Sequence, residues 1–228
     1  MATQVLQSLI DKQDNFEVVR DQIVTILKEE VVNQMALATT GGKDPNLWNL
    51  RVFKERSNPW DIFLKTSISD SRIPIVNVWF DNESPDPGKV TNIMESTKVN
   101  GTFNVDCYGC GLAADDGGSG HTPGDLDAAS EVQRALRLVR NILMASHNSY
   151  LQLRNTIVWG RVTESITAFQ PEISDQSAKQ VQAIRLSLGV DFVEFSPQYE
   201  AVTLEETTVT VERVEDGEVV ADQKFVST

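Results

Sequence analysis

IPIVNVWF, Ile73 to Phe80, decides the fold class. Ile73, Ile75, Asn77 and Trp79 alternate against Pro74, Val76, Val78 and Phe80, and both sets carry apolar side chains. A strand apolar on both sides is expected at the centre of a sheet with cover on each face. Pro74 must then stand at the strand's first residues, where a missing N–H is tolerated.

Outward from this stretch, LWNLRVF (Leu47–Phe53) and WDIFLKT (Trp60–Thr66) precede it. Both are short and rich in aromatic and apolar residues, with Asn58-Pro59 between them, and both read as strands. KVNGTFNVDCY (Lys98–Tyr108) is another. Further along, Asn155–Phe169 and Ala178–Ser196 alternate at period two, and Asp216-Gly217 marks a hairpin turn between β-rich flanks. Two segments have helical spacing instead. Phe16, Val19, Ile23, Ile26, Leu27 and Val31 form one stripe in a helix over about 15–38, with Asn15 as expected N-cap and Gly41-Gly42 as stop. Leu126, Ala129, Val132, Leu136, Val139, Ile142 and Leu143 form another, over about 125–147. The expected architecture is α+β: a largely antiparallel or mixed β-sheet flanked by two main helices, in a single domain over 1–228. It carries a glycine-rich loop at 109–124 and an acidic C-terminal β-hairpin at 205–228.

Composition narrows the function. The 228 residues hold 33 Asp+Glu against 20 Lys+Arg, a formal charge of -13. That balance opposes wrapping of DNA or RNA, which needs a basic face to displace counterions, and docking on anionic lipid. No apolar run approaches the ~20 residues of a membrane span, and MATQVLQSLIDKQDN lacks the basic and apolar regions of a signal peptide. A cytosolic or particle-associated location is expected.

Enzyme motifs are scarce. Cys107-Tyr-Gly-Cys110 is a C-x-x-C, but it runs from a strand into glycines rather than opening a helix, so nothing lowers a thiol pKa. As a zinc site it would need His121 and a distant fourth ligand such as His147. Two ordinary thiols are the simpler reading, with no catalytic residue, metal or cofactor expected. Asp115-Asp116-Gly117-Gly118 lacks the alternating register of a calcium loop. The stretch Gly109–Gly124 contains six glycines, which points to a surface loop. Arg134, Arg137 and Arg140 stand at i, i+3 and i+6 on the second helix. Such a row is either a solvated face paired with Glu131 or a surface for an acidic partner.

Several blocks together resemble the tail terminator and tail completion proteins of contractile and long-tailed bacteriophages. They are LDAASEVQRALRLVRNILMASHNSYLQL, IVWGRVTESITAFQPE and QAIRLSLGVDFVEFSPQYEAVTLEETTVTV, with an N-terminal helix followed by WNLRVFKERSNPW. The resemblance spans roughly Phe16 to Val211 and rests on no catalytic residues. It implies a structural virion protein in the tail or neck, assembled as a homohexameric ring on the last ring of the tail tube. Its implied partners are further copies of itself, the tail tube protein, a head-connector or head-closure protein and the tail sheath. DNA would pass through the lumen without specific binding, and no membrane is involved. On that reading Arg134, Arg137 and Arg140 are candidate subunit-interface residues, and Asp115 and Asp116 candidate residues of a lumen or junction loop. The alternatives are another neck, head-closure or baseplate protein, or, in a different class, a C-x-x-C thiol or metal enzyme.

Overall fold

The computed structural model describes residues 9, 11–65, 73–85, 96–112, 114–115, 121–154, 157–171, 180–195, 206–212 and 219–226. The chain divides into two compact units, Asp11–Ser196 and a smaller one made of Met1–Ile10 with Pro197–Thr228.

The larger unit is α+β. Helix α1 spans Asn15–Thr40 and helix α3 spans Gly124–Leu143, with the short helix α2 at Asp61–Lys65. The strands of the main sheet are β1 Arg51–Lys54, β2 Ile75–Pro85, β3 Ser96–Gly111, β6 Val158–Phe169 and β7 Gln180–Phe195. Two-residue strands β4 (Ala114–Asp115) and β5 (His121–Thr122) pair with each other between β3 and α3. The sheet order is β1-β2-β3-β7-β6. Only β1 runs parallel to its neighbour, so the sheet is mixed.

The stretch Ile73–Phe80 lies next to the centre, as its two apolar faces required. β2 begins just after Pro74, whose carbonyl accepts the Arg51 N–H at 2.9 Å. Register then sorts the side chains. Val78, Val105 and Leu186 sit side by side, as do Phe80, Phe103 and Leu188, and this face carries the main core under α1 and α3. The opposite face carries a smaller cluster in which Phe63, Ile75, Tyr108, Cys110, Val181 and Ala183 are buried.

Two helix details differ from the sequence expectation. The N-cap of α1 is Asp14, whose N–H donates to Glu17 at 3.1 Å; Asn15 is instead buried, and its amide donates to the Val193 carbonyl. In α3 the buried stripe is Ala128, Val132, Ala135, Val139, Ile142 and Leu143, while Leu126 is exposed. Glycine decides this. Gly109 and Gly111 lie on the helix-facing side of β3, and a Cβ at Gly109 would fall 2.6 Å from the Ala128 carbonyl oxygen. The closest approach of helix to sheet therefore puts small residues against glycines.

Three further boundaries move. Leu47–Phe53 is a 3-10 turn at Pro45–Trp48 followed by β1, because Asp44 caps the turn through the Asn46 N–H. Trp60–Thr66, expected as a strand, folds into α2 over Asp61–Lys65. A helical turn sets Trp60 and Phe63 together against the second face, and that burial overrides β propensity. Gly109–Gly111, expected to open a loop, instead complete β3.

The smaller unit contains an antiparallel hairpin, β8 Glu206–Glu212 with β9 Val219–Val226. Asp216-Gly217, the expected turn, lies outside the described residues.

Candidate functional site

Strand geometry separates the two cysteines. Positions i and i+3 of a strand point to opposite faces and stand roughly 10 Å apart. Cys107 belongs to the main core and Cys110 to the cluster on the other face; both are buried and neither is in a disulfide. They therefore cannot hold one ion or bond to each other. Burial, and then the neighbouring charge of Asp106, pushes the Cys107 thiol far above its ordinary range, so it stays protonated. His147 is exposed on the 3-10 turn after α3, and His121 lies in β5. Among the described residues no group of His, Cys, Asp and Glu is arranged to hold a metal ion.

The arginine row does not act as one stripe. Arg134 bonds within its own chain, through Nε to Glu131 at 3.2 Å and through Nη1 to the Leu47 carbonyl, tying α3 to the 3-10 turn before β1. Arg137 and Arg140 are exposed and form no ion pair with a described residue. The backbone of Asp115 lies in β4; Asp116 is outside the described residues.

The face of the sheet opposite α1 and α3 holds a feature that motif scanning missed. Asn77, Asp106, Arg185 and Thr167 form a continuous cross-strand row over β2, β3, β7 and β6. Asp106 is 3% exposed in mid-strand. An isolated carboxylate there would be costly, and three donors compensate it. Arg185 donates twice, Nε to Oδ1 at 2.7 Å and Nη2 to Oδ2 at 3.0 Å. The Trp79 indole donates at 2.9 Å and the Tyr108 hydroxyl at 3.4 Å. Burial and the Asp106 charge together raise the Tyr108 phenol well above its ordinary value, so it remains a donor. The guanidinium lies between two rings, 4.7 Å from the Trp79 centroid and 5.1 Å from that of Phe169.

Asn77 organises the rim. Its Oδ1 accepts the Arg56 N–H and its Nδ2 donates to the Arg56 carbonyl, both at 3.0 Å. This side chain prolongs the β1–β2 pairing past Glu55, which has a left-handed φ of 49°. Glu55 in turn accepts from Arg20 at 3.3 Å and from the Phe80 N–H at 3.1 Å, linking the rim to α1. The result is a cleft of about 330 Å³ lined by Trp60, Trp79, Tyr108 and Phe169, with Arg56 and Arg185 at its polar side.

Sequence signals for this cleft existed. Asn77 interrupts one face of an otherwise apolar strand, and Asp106 and Arg185 are opposite charges inside apolar runs. Pairing them requires the register, which the sequence does not display.

Neither a known protein family nor a curated protein matches the chain. Among the described residues no helix is long and apolar enough to cross a membrane.

Proposed function

We propose that the chain is a structural virion protein that caps a bacteriophage tail tube and joins it to the head connector, as a ring through which DNA passes. The sequence resemblance suggests the role, and the outer edge of β6 is the observation that carries it. β6 is 12 residues long and stands last in the sheet; beyond β7, its one partner among the described residues is a single bridge from Arg154 to Val158 at its start. It exposes Trp159, Val162 and Ile166, and Trp159 is 55% exposed. A long edge strand with exposed apolar groups is a template for pairing with another chain. Supplied by identical copies, such an edge makes a head-to-tail contact that closes into a ring when the rotation permits, and the resemblance implies six copies.

The charge is compatible with the role. A net charge of -13 disfavours adhesion of phosphates in a lumen. The tail tube, the head-connector or head-closure protein and, in a contractile tail, the sheath are the partners of this reading. Its location is the virion, after assembly in the host cytoplasm. A C-x-x-C thiol or metal enzyme gains no support, because Cys107 and Cys110 face opposite ways.

Electron microscopy of purified tails tests the role. The expected result is a ring at the head-proximal end of the tube, with tails of unregulated length when the chain is absent. Finding the protein on capsid hexons, or nowhere in the particle, refutes it. Trp159→Asp is expected to abolish the ring while leaving the free chain's melting temperature within a few degrees, because the side chain is solvent-exposed.

A further inference from the structure

We infer that the cleft on the second face of the sheet binds a carboxylate carried on an aromatic or apolar body. The site does not depend on the virion role. Three observations converge on it.

The first is an anchored arginine with spare donors. Asp106 occupies Nε and Nη2 of Arg185, whereas Nη1 bonds to no described residue. The carboxylate below and the rings of Trp79 and Phe169 on either side fix the guanidinium plane, while about a third of the side chain stays exposed. A guanidinium held this way presents its remaining N–H groups to the cleft with little ordering left to lose.

The second is another cation at the same opening. The Arg56 backbone is clamped by Asn77, and its guanidinium lies 5.0 Å from the Phe53 centroid. Arg56 forms no ion pair with a described residue, in a chain where acids outnumber bases. Asp106 is already bonded by Arg185 and Glu55 by Arg20, and the charge of Asp81 also acts on Arg185; Arg56 is the cation of this opening that no described acid pairs with.

The third is the shape of the walls. Trp60 and Tyr108 extend the aromatic wall that Phe169 begins beside Arg185, with Trp60 and Tyr108 centroids 5.5 Å apart and Tyr108 and Phe169 6.0 Å apart. A volume of about 330 Å³ is at the lower end for small-ligand pockets and exceeds what a bare inorganic anion fills. An anionic end for two arginines and a flat apolar end for three rings define the ligand. Either a free aryl acid or the C-terminal carboxylate of a peptide ending in an aromatic residue has this chemistry.

Two-dimensional NMR of the full ¹⁵N-labelled chain tests the site, read at the Trp79 indole N–H, which a Trp79→Phe spectrum assigns. The probes are phenylacetate, the tripeptide Gly-Gly-Phe, its C-terminal amide, and inorganic phosphate. Both carboxylates are expected to shift the Trp79 signal saturably, with the amide and phosphate at least tenfold weaker. Tighter binding of the tripeptide than of phenylacetate assigns the cleft to peptide termini, and the reverse order to free acids. Arg56→Gln removes an exposed side chain and is expected to weaken the carboxylates about tenfold without unfolding the chain. An amide as tight as the acid, a wild-type affinity in Arg56→Gln, or no shift at millimolar probe overturns the inference.

Discussion

Asp106 and Arg185 are directly opposite each other on β3 and β7, and the guanidinium grips the carboxylate through two bonds of 2.7 and 3.0 Å. A charge pair in mid-sheet is weak evidence for stability, since its desolvation offsets much of the attraction. It does fix which strands pair and in what register. A slip of one residue would put Asp106 among Val105 and Cys107's neighbours in the main core.

Breaking only one side of this pair is therefore the severe change. Arg185→Leu is expected to cost about 3 kcal/mol in urea unfolding, because the buried Asp106 is left without its strongest donor. Adding Asp106→Leu should recover part of the loss, with the Trp79 indole then left without its acceptor. A double variant no more stable than Arg185→Leu would show that packing, rather than the unpaired carboxyl group, set the cost.

The contact between α3 and β3 rests on absent side chains. Gly109→Ala would bring a Cβ to 2.6 Å from both the Ala128 carbonyl oxygen and the Val132 nitrogen, which are backbone atoms and cannot rotate away. A loss of about 2 kcal/mol is expected by thermal or urea unfolding. Gly42, with a φ of 67° and open space around it, makes a control of another kind: alanine there costs through backbone strain alone.

Thiol chemistry should follow unfolding. Cys107 and Cys110 are buried, so Ellman's reagent is expected to react only at the rate at which the larger unit opens. The Cys107 shift also fixes an alkaline limit. Its folded-state pKa is raised above the ordinary value of 9.0, so the unfolded chain loses this proton first. The contribution is whole below pH 9 and diminishes as pH rises beyond it. Cys107→Ala should flatten the stability curve above pH 9 while lowering it elsewhere.

The carboxyl end of α3 is held from β6. Arg161 donates through Nε to the Asn148 carbonyl and through Nη2 to the Ala145 carbonyl, both at 2.8 Å, and the buried Asn148 amide donates to Ile142 at 2.9 Å. Arg161 thereby ties the 3-10 turn that follows α3 to β6, and Asn148 ties that turn back to the last turn of the helix. Arg161→Leu is expected to cost about 2 kcal/mol, with hydrogen exchange rising first in the last turn of α3.

Periodicity made the helices, the mixed sheet and the placement of Ile73–Phe80 legible, since burial of one or both faces writes itself into alternation. What it could not supply was anything set by contact between distant segments. Trp60–Thr66 has strand-like composition and becomes helical because Phe63 finds a cluster on the second face. Gly109 and Gly111 looked like loop residues because only the approach of Ala128 explains them. The cleft was hidden for the same reason, since Asp106 and Arg185 are 79 residues apart.

The arginines of α3 separate two expectations that the row alone had merged. Arg134 is engaged by Glu131 and the Leu47 carbonyl, so Arg134→Ala should destabilise the free chain by about 1 kcal/mol. Arg137 and Arg140 are exposed, and Arg140 in the last turn also suits the negative end of the helix dipole. Arg137→Glu is then expected to leave unfolding within about 0.5 kcal/mol of the parent. If this surface meets an acidic neighbour in the ring, the same charge reversal removes one attraction and adds a repulsion, and assembly weakens. Sedimentation of assembled and free protein, run beside thermal unfolding, reads both quantities. Loss of assembly with unchanged melting assigns Arg137 to the interface. Unchanged assembly makes it a solvated charge, whose pairing would contribute little.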